Sequence, residues 1–392
     1  MKYVIIGNGA AGSSAAAKIR KLDKEGIIDV FTTENVPYYY RPKLIDYLAK
    51  DVPFEKCILS GEKWFSHNKI NLYLNTEVTS IVPEKNEITT KDGRVFAYDR
   101  LLIAVGANCF VPPIKGVDSP KVFTVKNKVD ADTIMSLAEK SKSAILVGGG
   151  LLGLETGNSL RKLGLKVRVV EFFPRLLPRQ LDVEGADILE KQLTSMGFEF
   201  YLGKVSENID GSAASMKLTL KTGEILEGDM IIISAGIRPD LKLATEAGIK
   251  VNKGILVDNY MKTSVDNIYA SGDVIEHDGR LYGIWQPAKE QGEIAGENMV
   301  KPGSKEYKGT LLSHKLKVVG IDLLSMGDID GDGKMKVVVH KDEKAFIYKK
   351  AVISSDKLIG CIMLGNIEGE KQISRTITEG TSFEEVKKYF HL

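Results

Sequence analysis

A chain of 392 residues is too long for one ordinary hydrophobic core and predicts roughly two to three domains. With 43% hydrophobic and 27% charged residues it falls outside the disordered, collagen-like and membrane classes, and 54 Lys+Arg against 52 Asp+Glu leave no global charge for nucleic acid or a membrane surface. Cys57, Cys109 and Cys361 form no CxxC pair, which excludes a disulfide framework, a zinc knuckle and an iron–sulfur site and fits a reducing cytoplasm.

In chain order, the apolar run at 3–6 is too short for the core of a signal peptide, and no later stretch reaches the ~18 apolar residues of a membrane span. A soluble, cytoplasmic protein is expected. YVIIGNGAAG at 3–12 is a strand entering a turn with Gly7, Gly9 and Gly12 in G-x-G-x-x-G spacing, and Ala10 and Ala11 open a helix rich in small residues. The first glycine makes the turn, the second lets a pyrophosphate approach the backbone, and the third permits close helix–strand contact. A second strand follows at 27–32, and Glu34 lies past it, where such a fold holds a ribose hydroxyl. In VPYYYRPKLIDYL (36–48), Pro42 starts a helix with Lys43 in its first turn.

AILVGGGLLG at 144–153 repeats the pattern with Gly148, Gly150 and Gly153, and Leu151 and Leu152 open the next helix. The strand KVRVVE then ends in Glu171. A carboxylate there accepts from the adenosine ribose hydroxyls and opposes a 2′-phosphate, so NADH is preferred over NADPH; Arg175, four residues on, is the competing, phosphate-binding reading. Two dinucleotide folds imply two dinucleotides, a nicotinamide and a flavin. After Pro302 the texture changes to apolar strands separated by turns, a separate α+β domain. There DIDGDGK (328–334) imitates a calcium loop through Asp328, Asp330, Asp332 and Gly333. Val339 stands at the twelfth position, where a bidentate Glu is required, so the segment is an acidic turn and no metal site is expected.

As a set, VIIGNGAAG (4–12), YDRLLIAVGA (98–107), AILVGGGLLGLE (144–155), SAGIRPD (234–240) and NIYASGDV (267–274) resemble the FAD-dependent pyridine nucleotide-disulfide oxidoreductases, in order and over nearly the whole chain. The resemblance implies an α/β fold of two Rossmann-like domains and a small C-terminal α+β domain. FAD would lie on 1–108 and 229–303, NAD(H) on 109–228, and an interface domain would cover 304–392. It implies that Ala104, Gly106, Gly236 and Gly272 are cofactor-binding positions, that Asp273 holds the ribityl chain, and that Arg41 and Pro42 belong to the flavin site. Trp285 and Gln286 would border the isoalloxazine. A helix beginning near Ala288 would aim its N-terminus at the flavin N1–C2=O edge, where its dipole favours negative charge. Glu155 would stand beside the nicotinamide and flavin N5. The lysine that partners it in many ferredoxin reductases is Asp46 here, leaving Lys43 as the nearby cation.

Disulfide reductases of the family carry a redox cysteine beside the flavin, and aligned on Tyr39 and Leu44 that position is Pro42. Without a thiol, electrons leave the flavin directly, to a one-electron metal protein or to dioxygen. The pattern most resembles the NADH:rubredoxin reductases, which implies an enzyme passing electrons from NADH through FAD to rubredoxin or a similar carrier, with Lys289, Lys315 and Lys317 as a docking rim. The alternatives are an NADH oxidase, the flavin module of a nitrite-reducing system whose siroheme and iron–sulfur domains are not attached at Leu392, and a non-catalytic NAD-responsive binding module.

Overall fold

A computed structural model describes residues 1–211, 215–310, 313–329 and 335–390. The chain forms two compact units. One comprises Met1–Tyr47, Val52–Cys109 and Ile237–Thr310, the other Leu48–Asp51, Phe110–Gly236 and Leu311–Leu392.

The first unit opens with β1 (Lys2–Ile6), α1 (Ala10–Leu22), β2 (Ile27–Phe31), β3 (Ile70–Tyr73) and β4 (Arg100–Ile103). β1 runs between β2 and β4, with Ile5 opposite Val30 on one side and Leu102 on the other. Its residues Tyr3, Val4 and Ile5 are fully buried, as a strand covered on both faces requires. Gly7 has φ +110°, and a Cβ on it would strike the Ala104 carbonyl oxygen; one on Gly12 would strike the carbonyl oxygen of Gly7. Only glycine lets strand, turn and helix close this tightly, and Gly148 and Gly153 make the same pair of approaches in the second unit.

In that second unit β5 (Val122–Phe123), β6 (Ser143–Val147), α2 (Leu151–Lys162), β7 (Lys166–Glu171), α3 (Val183–Ser195), β8 (Phe198–Leu202) and β9 (Met230–Ile233) follow. The strands form a parallel sheet in the order β5-β9-β6-β7-β8. The expected boundary at 229 therefore moves: β9 is hydrogen-bonded between β5 and β6, and the chain returns to the first unit at Ile237, where β-pairing of Ile237 with Cys109 begins.

β10 (Ile268–Ala270) adds to the first sheet beside β4, and α4 (Trp285–Val300) packs on α1. A Cβ on Gly292 would strike the Ala11 carbonyl oxygen, and one on Gly296 would lie 2.7 Å from that of Ala15. Residues 304–310 also stay with this unit rather than opening the tail: Tyr307 is fully buried and its Oη accepts from Gln291 Nε2 at 3.2 Å.

The tail comprises β11 (Ser313–Val318), β12 (Ile321–Gly327), β13 (Lys336–Asp342), β14 (Ile347–Ser354), β15 (Lys357–Leu364) and α5 (Glu370–Glu379). Its antiparallel sheet, in the order β11-β12-β15-β14-β13, has a core of its own that includes Leu324, Cys361, Met363, Ile373 and Phe390. This small C-terminal sheet domain groups with the second unit. Asp182, the N-cap of α3, accepts from Tyr348 Oη at 2.7 Å and Lys350 Nζ at 2.9 Å. Most of the DIDGDGK turn, residues 330–334, lies outside the described residues. Among the described residues no helix is long and apolar enough to cross a membrane.

Candidate cofactor sites

In the first unit Gly9 is the N-cap of α1, so the free N–H groups of Ala10, Ala11 and Gly12 and the positive end of the helix dipole face whatever lies at the glycine turn. Asn8 is buried there; its Oδ1 accepts from Ser13 Oγ at 2.8 Å, while its Nδ2 is buried without a protein partner. Past β2, Glu34 accepts from Tyr39 Oη at 2.8 Å and from Arg41 at 2.6 Å, and the guanidinium lies 5.2 Å from the Tyr39 ring centroid. Glu34 and Arg41, expected separately, are thus one ion pair. Ala104 donates to Ile6 and the Gly106 carbonyl accepts from Asp240, which fixes the backbone that follows β4.

Asp273 Oδ1 is likewise buried without a partner. Burial pushes the carboxyl up to about 6, against the opposing charge of Arg41. The N–H of Gly272 beside it is held by Gln291 Oε1 at 3.0 Å. Trp285, Gln286 and Ala288 all lie in the first turn of α4, which begins at Trp285, three residues before the expected start. Pro287 is no obstacle because first-turn N–H groups have no intrahelical acceptor. Trp285 meets Tyr40 edge to face at 5.1 Å. Lys289 lies 5.7 Å from the Trp285 ring and 3.8 Å from Glu293, which offsets part of its charge. The side chains of Lys315 and Lys317 lie outside the described residues.

The unpartnered Asn8 amide, Ser271 hydroxyl and Asp273 carboxylate are a donor, a two-way group and an acceptor, the set that a phosphate and a polyhydroxyl chain satisfy together. Flavin dinucleotide fits them. Around Pro42 the chain is a short 3-10 helix, Arg41–Lys43. Lys43 Nζ is 3.4 Å from the Lys56 carbonyl oxygen, so within its own unit it is turned to backbone. Cys57, distant in sequence, comes beside this turn with Sγ 3.7 Å from the Lys43 carbonyl. It is 1% exposed, and burial raises its thiol pKa; Cys361 is pushed up to about 12 by the same cause. Both are the opposite of an activated thiolate.

In the second unit Gly150 caps α2, with Leu151 and Leu152 at the helix start. Glu171 is 7% exposed; one carboxylate oxygen accepts from the Gly149 N–H and the other from Phe173 N–H. The carboxylate is thus oriented by backbone, and each oxygen keeps a second lone pair for a ribose hydroxyl. Arg175 turns to the Pro178 and Leu181 carbonyls of its own loop, away from a phosphate-binding role. Gly236 accepts from Phe110 N–H. Phe172 and Phe173, 64% and 49% exposed, were not among the expected site residues, although two aromatics directly after the acid were a visible signal. Glu155 accepts from the Val319 N–H at 2.9 Å, a partner no local pattern announces.

The model for pyridine nucleotide-disulphide oxidoreductases matches residues 1–292, and the chain belongs to that family. A model for the C-terminal domain of rubredoxin NAD+ reductase matches residues 313–381. An NAD(P)H nitrite reductase from Bacillus subtilis (strain 168) is 34% identical over 99% of this chain and 48% of its own length, so the chain spans about half of that relative. An NADH oxidase from Methanocaldococcus jannaschii is 36% identical over 78% of this chain and 72% of its own. The crystal structure of NADH:rubredoxin oxidoreductase from Clostridium acetobutylicum superposes with a TM-score of 0.81 at 26% identity, covering 97% of this chain and 96% of that one. The expected fold class, two Rossmann-like folds with a small C-terminal sheet domain, stands.

Proposed function

We propose that the protein is a cytoplasmic NADH-dependent flavoprotein that delivers electrons to rubredoxin or a similar small metal protein. The observation that carries an electron exit without a thiol relay is at Pro42 and Cys57: the position where thiol-dependent relatives carry cysteine is a proline, and the thiol beside it is buried with a raised pKa. FAD, when bound, converts two-electron delivery from NADH into single-electron steps. The α1 N-terminus and Asn8 hold its pyrophosphate, Asp273 its ribityl hydroxyls, and the start of α4 its ring edge. The α2 N-terminus holds the NADH pyrophosphate, Glu171 the adenosine ribose, and Glu155 the nicotinamide end. The match of the tail to the C-terminal domain of rubredoxin NAD+ reductase supports the choice of a small metal protein over dioxygen as acceptor.

The identity to a nitrite reductase and to an NADH oxidase supports a second reading, in which the acceptor is a nitrite-reducing partner or dioxygen. The test is NADH-dependent bleaching of rubredoxin under anaerobic conditions by purified, FAD-loaded protein. Rubredoxin is reduced at a rate proportional to enzyme if the proposal holds; no reduction of rubredoxin or ferredoxin, with rapid NADH consumption once air is admitted, contradicts it.

A further inference from the structure

The β11–β12 hairpin closes on the pair Val318 and Ile321 through a two-residue turn, Val319 and Gly320, with φ +56° and +85°. Positive φ at both positions defines a turn whose first residue is normally Asn, Asp or Gly, and a β-branched residue is strained there. Two contacts hold Val319 in place. Its side chain is 4% exposed, and its N–H donates to Glu155 Oε1 at 2.9 Å. Glu155 stands in the second turn of α2, and the tail that delivers the N–H is anchored separately on α3 through Asp182, Tyr348 and Lys350. The turn therefore meets the carboxylate from a fixed base, and backbone strain of this kind persists where surrounding structure over-determines it.

We propose that the Val319 backbone N–H is a positioning group for Glu155, so that the tail domain sets the orientation of the carboxylate at the nicotinamide end of the NADH site. The inference rests on the role given to Glu155 above. A donor to one oxygen fixes the carboxylate plane and limits its rotamers. Its loss slows hydride delivery from correctly bound NADH while leaving NADH affinity, which resides in the pyrophosphate and ribose contacts, unchanged.

Two measurements on the full-length FAD-loaded protein test this. The first is amide hydrogen exchange at Val319: Glu155→Ala should accelerate it at least about tenfold, the equivalent of losing one charge-assisted hydrogen bond, and Val319→Asn, which keeps the N–H and suits a left-handed turn, should keep its protection. The second replaces the residue-319 amide by an ester through the α-hydroxy analogue of valine, removing only the N–H. The limiting rate of flavin reduction by NADH should fall at least about fivefold, with the NADH dissociation constant within about twofold. Added to Glu155→Ala, which removes the acceptor, the ester should then cost nothing further. Unchanged exchange in Glu155→Ala, or an ester effect fully additive to Glu155→Ala, overturns the positioning role alone. Accelerated exchange with unchanged flavin reduction in both variants overturns the placement of Glu155 at the nicotinamide, and this proposal with it.

Discussion

Asp273 carries an unusual burden for a carboxylate: beside the flavin-type turn its Oδ1 is buried without a partner, and desolvation raises its pKa to about 6. The folded apoprotein thus binds this proton more tightly than the unfolded chain does, so protonation stabilises the fold at low pH and the contribution is lost as pH rises from about 4 through 6. Unfolding of the apoprotein should lose about 2–3 kcal/mol across that window, and Asp273→Asn should flatten the dependence. With FAD bound, hydroxyl donors stabilise the ionised form and the loss should shrink. Asp273→Ala should also lower the flavin-to-protein absorbance ratio after dialysis; full flavin retention would contradict the ribityl assignment.

Glu171 is the second unit's counterpart of Glu34, and its bonds to the backbone of Gly149 and Phe173 separate two effects. Glu171→Ala should raise the KM for NADH by at least about tenfold, a loss of ~1.4 kcal/mol. Glu171→Gln keeps an acceptor and removes the charge, so it should retain more NADH affinity and relax discrimination against NADPH. A wild-type preference for NADPH, or an unchanged KM in Glu171→Ala, would contradict the assignment.

At the scale of elements, the contact of α1 with α4 ties the pyrophosphate turn to the helix that starts at Trp285. Because a Cβ at Gly292 meets the Ala11 carbonyl, Gly292→Val should destabilise the protein by about 1–3 kcal/mol. Thermal unfolding reads this, and flavin content should fall with it, since Ala11 is two residues from the Gly9 cap. The same elements show what a sequence discloses. Both glycine turns are legible in the sequence because the motif is local: strand, turn and helix lie within one short stretch. α4 starts three residues before the expected Ala288, because a first-turn proline is compatible with several helix starts. The 229 boundary failed at β9, whose wholly buried apolar residues would read the same in either parallel sheet; only hydrogen bonding decides. The ion pair of Glu34 with Arg41, and Val319 with Glu155, 164 residues apart, depend on tertiary placement that no local pattern encodes.

For the molecule as a whole, the proposed function joins two dinucleotide sites to an electron exit that uses no thiol. Replacing Cys57, Cys109 and Cys361 together by Ala or Ser should leave NADH-to-carrier turnover within about threefold of wild type, despite modest packing losses of about 1–2 kcal/mol at the buried positions. Collapse of turnover in a folded, flavin-loaded variant would restore a thiol mechanism. If Lys289 helps guide an acidic carrier, Lys289→Glu should slow the carrier step alone, and that step should weaken as salt rises through ~0.1 M, where the screening length is about 10 Å. The most direct measurement is a single-turnover comparison: enzyme reduced anaerobically with one equivalent of NADH is mixed with rubredoxin, ferredoxin or dioxygen at matched concentrations. A metal protein should be reduced faster than oxygen, with flavin reoxidation matching carrier reduction. Faster reoxidation by oxygen than by either carrier would contradict it.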